Sequence, residues 1–98
     1  MKPSKAMLRG FKMAGGRQCT GVHYEGHQLR PNSVCAIGAW SLAVHGNAAF
    51  SEYNQSANEK LSEANAAFLL LCDSSITEAN DEGMSIPDIA GILASEGY

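Results

Sequence analysis

The sequence predicts an α+β domain dominated by helix, with four to five helices and one small β-hairpin in a single domain over residues 1–98. Three observations lead there. The chain has 98 residues and is 45% apolar, which suits one domain closed over one modest core. Four stretches space their apolar residues at helical intervals between capping or breaking residues. Only one short stretch, Gln18 to Arg30, gathers strand-forming residues about a turn. No internal repeat or low-complexity tract interrupts this pattern.

The first helix is expected over Ser4 to Ala14, with Pro3 before it and the Ser4 hydroxyl as its cap. Met7, Leu8 and Phe11 form an apolar stripe, Lys5, Arg9 and Lys12 take the other face, and Gly15-Gly16 ends the helix. In the hairpin, Thr20, Val22, Tyr24 and Leu29 favour strand, and Glu25-Gly26 is expected to turn the chain because glycine accepts positive φ. Pro31 then pushes Arg30 out of the helical region, and Ser33 or Asn32 is expected to cap a helix over Val34 to His45 that Gly46 stops. This helix is apolar nearly all round, which marks it as central and buried, and Gly38 and Ala39 let another backbone approach. Asn47 to Ser56 is open between a short helical turn through Ala48, Ala49, Phe50 and Tyr53 and a polar break.

A further helix is expected over Asn58 to Cys72. Leu61, Ala64, Phe68, Leu71 and Cys72 face inward and Glu59, Lys60, Ser62, Glu63 and Asn65 outward. Ile76 to Met84 is expected as an acidic loop. The last helix follows Ser85, tolerates Pro87 in its first turn, spaces Ser85 and Asp88 as a capping box, and buries Ile86, Ile89, Ile92 and Leu93.

Charge is divided along the chain. Residues 1–50 hold six of the seven bases and one acid, Glu25, whereas residues 51–98 hold nine of the ten acids and one base, Lys60. The halves carry +5 and −8, giving the net −3. Opposed poles can steer a charged partner or stack copies head to tail. No apolar run approaches the roughly 20 residues of a membrane span. The start, Met-Lys-Pro-Ser-Lys, has no signal-peptide core. Three widely spaced cysteines, Cys19, Cys35 and Cys72, do not make a secreted disulfide framework. These points predict a cytoplasmic protein with reduced thiols.

Two motifs stand out. Cys35-Ala36-Ile37-Gly38-Ala39 opens the central helix, and Ile76, Asn80-Asp81, Ser85 and Asp88-Ile89 follow later. In this order they resemble a family of small uncharacterised domains of phage and bacterial genomes, whose pattern is a first helix, a polar hairpin, Cys-Ala-φ-Gly-Ala, a variable helical middle, then φ-x-x-Trp-Asn-Asp and a Ser- or Thr-capped last helix. Ala79 replaces the family's aromatic, and the middle is shorter and more polar. The resemblance implies a small domain with no established activity. Physics assigns the matching residues structural work: Cys35 and Gly38 permit tight packing, Asn80 and Asp81 bond loop amides, and Ser85 caps a helix.

Several side-chain sets invite chemistry. Cys19, His23, His27 and Cys35 supply four zinc-type ligands as Cys-x3-His-x3-His-x7-Cys, within seventeen residues but in no common zinc order. With the hairpin turning at Glu25-Gly26, Cys19 and His23 share a face. Cys35 near a helix start could act as a thiol nucleophile with His23 as base. His45 is ten residues along the same helix, about 15 Å away, and cannot reach it. The basic set of Lys2, Lys5, Arg9, Lys12, Arg17 and Arg30 could meet phosphates, but a pI near 5.5 argues against a nucleic-acid partner. Neither phosphate-loop pattern occurs, and the acidic loop lacks an EF-hand's alternating ligands.

The sequence thus points away from an enzyme and toward a protein-interaction domain that docks on a protein partner or on itself, with a homodimer expected and no membrane partner. Arg9 and Lys12 would steer docking, and Trp40, Phe50 and Tyr53 would anchor it. The alternative is a metal-stabilised or nucleic-acid-associated module using Cys19, His23, His27 and Cys35 and the basic N-terminal face. The main reading needs no cofactor; the alternative needs zinc.

Overall fold

The computed structural model describes residues 1–50 and 59–98. Its order is α1 (Pro3–Met13), β1 (Tyr24–His27), β2 (Arg30–Val34), α2 (Ala36–His45), a 3-10 turn (Gly46–Ala48), α3 (Glu59–Cys72), α4 (Ile76–Asp81) and α5 (Ile86–Ser95). This is the expected mostly helical α+β arrangement, with five α-helices among the described residues.

Helices α1 and α2 form the most extensive helix pair, and α1 also packs on α5. The α1–α2 crossing depends on Gly10, where a Cβ would fall 1.7 Å from the Ala39 carbonyl oxygen, so the two backbones touch. Around them lies one apolar cluster in which Met7, Val34, Phe68, Ile76, Ile86, Ile89 and Leu93 are fully buried. Each such aliphatic or aromatic side chain contributes about 1.5–3 kcal/mol on leaving water.

Helix α1 starts one residue earlier than expected. Pro3 occupies its first turn, where its fixed φ fits and its missing N–H costs nothing, and Lys2 is the uncapped N-cap. Ser4 is therefore not a cap. It is buried, and its N–H donates to the Tyr98 carbonyl at 2.9 Å. Gly15 and Gly16, both at positive φ, end the helix as expected.

The hairpin differs in register. Strands β1 and β2 are antiparallel, with Tyr24 opposite Val34 and His27 opposite Arg30. The turn is at Gln28-Leu29, not Glu25-Gly26. Gly26 (φ 91°) instead sits where the register shifts, because positive φ suits a bulge as well as a turn. Residues 17–23 run beside β2 as a loop: Cys19 N–H donates to Val34 O at 3.0 Å and Val34 N–H to Arg17 O at 3.1 Å. Ser33 and Val34 belong to β2, so the cap of α2 is Cys35, whose Sγ accepts from Gly38 N–H at 3.3 Å.

Helix α3 buries Ala64 and Phe68 as expected but leaves Leu71 54% exposed. Among the described residues its packing on α5, α1 and α4 is slight. Residues 76–81, expected as loop, form α4, which a complete capping box between Ser75 and Glu78 starts. Ser85 Oγ accepts from Asp88 N–H at 3.2 Å and starts α5. Among the described residues no helix is long and apolar enough to cross a membrane.

Candidate functional site

Asn80, at the end of α4, is 1% exposed and draws three segments together. Its Oδ1 accepts from Ala36 N–H, in the first turn of α2, and from Gln18 Nε2, both at 2.9 Å. Its Nδ2 donates to the Cys19 carbonyl at 2.9 Å. Gln18 continues the network: Nε2 donates to Met84 O at 2.8 Å, and Oε1 accepts from Ile86 N–H, the start of α5, at 2.8 Å. Asp81 Oδ1 accepts from Gly21 N–H at 2.9 Å. The 17–23 loop is thus pinned between the starts of α2 and α5.

Beside this network, Gly21, Val22, His23, Cys35, Thr77 and Asp81 line a cleft of about 260 Å³. Cys35 Sγ lies 3.6 Å from His23 Nδ1, and Cys35 N–H donates to His23 O at 3.1 Å. Gly38 makes this contact possible, since a Cβ there would sit 1.9 Å from the same His23 oxygen. The structure therefore joins the expected thiol and the expected base. The thiol is only 5% exposed. Burial pushes its pKa up, opposed in part by the backbone N–H groups of Gly38 and Ile37. The thiol thus caps α2 at the edge of the cleft, and burial favours its protonated form.

The expected metal quartet is not assembled. Among the described residues no three or more His, Cys, Asp or Glu side chains converge on one point. Cys19 Sγ turns to the Val22 carbonyl at 3.6 Å, and burial raises its pKa as well. His27 ends β1, where Nδ1 accepts from Leu29 N–H at 3.1 Å. With the turn at Gln28-Leu29, displaced from the expected place, His27 stands at the end of β1 opposite Arg30 and is not grouped with two of the other expected ligands. All three cysteines are free.

Of the expected anchor residues, Trp40 and Phe50 lie among the described residues. Trp40 is 5% exposed and belongs to the core, with its ring edge-on to His45 at 5.5 Å. Phe50 is half-buried and stacks on Tyr24 at 4.2 Å. Tyr53 lies outside the described residues. Exposed apolar side chains occur elsewhere, at Leu69 (46%), Leu70 (89%) and Leu71 on α3 and at Leu8 and Met13 on α1 beside the exposed Arg9 and Lys12.

Sequence reasoning missed Gln18 altogether, because a glutamine in a loop carries no local mark of partners more than sixty residues away. It also missed α4, although Ser75-x-x-Glu78 was a readable capping signature. Compared with protein-family models, with curated protein sequences and with solved structures, the chain finds no match in any of the three.

Proposed function

We propose that this chain is a non-enzymatic docking domain that works in the cytoplasm, akin to the small phage and bacterial domains its motifs resemble. One observation carries the reading. Three consecutive leucines, Leu69, Leu70 and Leu71, stand in solvent at the end of α3. Scattered surface leucines need no explanation, but three in succession put exposed apolar side chains round the end of one helix, and Leu70 is nearly bare. Covering Leu70 would gain about 1.5–3 kcal/mol and the half-covered Leu69 and Leu71 about half as much each, enough to anchor an interface. The cluster around Asn80 and Cys35 supplies the rigid frame. Arg9 and Lys12 retain a steering role, since exposed charges act mainly on the rate of encounter.

The test is cross-linking and affinity capture from cells producing the protein, comparing wild type with Leu70→Asp. Copies of the chain itself count as captured material. Leu70 is 89% exposed, so its replacement should leave the fold intact and lower the melting temperature only slightly, through the poorer helix propensity of aspartate and its charge near the C-terminal end of α3. The expected result is loss of the captured species in the variant, and slower capture by Arg9→Glu/Lys12→Glu at low salt than at high salt. Identical capture by wild type and Leu70→Asp would remove the leucine patch as the docking surface.

A further inference from the structure

The exposed side of α1 presents Lys5, Leu8, Arg9, Lys12 and Met13, all on one face by their 3-4-7-8 spacing and all exposed. That helix contains no acid. The exposed side of α3 presents Glu59, Glu63, Ala66, Leu69 and Leu70, on one face by the same rule and also all exposed. The base of α3, Lys60, projects about 100° round the axis from Glu59 and borders this face beside Glu63, with which it lines a cleft. One face is basic and apolar, the other acidic and apolar. At one edge the two faces approach within the chain, where Lys5 and Glu63 line a common cleft. Met7 of α1 and Ala64 and Phe68 of α3 are buried in the shared core, and Leu8, Arg9, Lys12 and Met13 on one helix and Glu59, Leu69 and Leu70 on the other remain exposed.

We propose that the occupant of the α3 face is the α1 face of a second copy of this chain. The inference rests on the docking reading above and names its partner. Charge complementarity selects the copy: Arg9 and Lys12 oppose Glu59 and the acidic edge at Glu63, while Leu8 and Met13 cover Leu69 and Leu70. The two faces differ, so the contact is heterologous. Each added copy leaves one face of each kind unoccupied, and assembly proceeds head to tail until it closes as a ring or continues as a filament. The charged pairs lie in exposed faces, and ionic strength weakens them as the Debye length falls from about 10 Å at 0.1 M to about 3 Å at 1 M salt.

Sedimentation velocity on the full chain tests this with two charge reversals, Arg9→Glu/Lys12→Glu and Glu59→Lys/Glu63→Lys, first checked for melting curves matching wild type. Wild type at low salt is expected to show an average mass above the 10.4 kDa of one chain that rises with concentration and falls on adding salt. Each reversed variant alone is expected to sediment as a monomer. An equimolar mixture of the two is expected to associate again, because each now carries the face the other lacks. Wild type that stays monomeric at every concentration, association that survives either reversal, or a mixture that stays monomeric would overturn the proposal. A monomeric wild type whose capture of other proteins is still lost in Leu70→Asp would leave the docking domain standing and remove only self-association.

Discussion

Asn80 satisfies the Ala36 amide, the Cys19 carbonyl and the Gln18 side chain with one buried amide. Asn80→Ala strands those groups without water, at about 3 kcal/mol by chemical denaturation, a large share of the roughly 5–15 kcal/mol of an ordinary domain. Gly10→Ala is expected to cost a similar amount, about 3 kcal/mol, since its methyl meets backbone and not a movable side chain. Cys35 gives a pH dependence. Its folded pKa is raised above the ordinary 9.0, so its contribution is complete below pH 9 and is lost as pH rises through the folded value. Cys35→Ser keeps a capping oxygen and is expected to flatten the alkaline decline in melting temperature, leaving the share of Cys19. At this scale the sequence was legible where one residue acts locally, as at Ser85 and Gly15. It was not legible where a side chain's partner is remote, as at Gln18, or where a glycine's positive φ serves two geometries, as at Gly26.

The helices follow from their caps and stripes, and the misplacements have specific causes. Helix α2 begins late because a thiol does the work expected of Ser33, which bonds Glu25 Oε1 at 3.0 Å instead. Helix α4 depends on its capping box. Ser75→Ala is expected to lower stability by about 1 kcal/mol in denaturant titration. Glu78 has its pKa lowered below the usual 4.5 by the Ser75 amide, so its contribution holds above pH 4.5 and fades as pH falls through the folded value. Glu78→Gln should remove that part of the acid decline in an acid series of melts. Asp73 closes α3 at φ 57°, a conformation that glycine adopts without side-chain strain. Asp73→Gly is expected to raise stability by about 0.5 kcal/mol in the same measurement. The expected inward set of α3 failed at Leu71 because periodicity marks which residues share a face, not how wide a face the neighbours cover.

Across the whole molecule, the charge division read from the sequence places bases on the outside of α1 and acids on the outside of α3. What could not be read was that leucines would join the acids there, since an apolar helix end in a sequence looks like core until its neighbours are known. The Asn80 network also fixes an order of assembly. The amide that opens α2 finds its acceptor 44 residues downstream, and the loop carbonyl before it waits for a donor 61 residues downstream. A chain emerging from the ribosome therefore makes its central helix and hairpin first and holds both incomplete until α4 is synthesised. Contacts so distant in sequence place the cost of loop closure ahead of the bonds that repay it. The N-terminal half is left as a waiting partner that only the C-terminal third can finish.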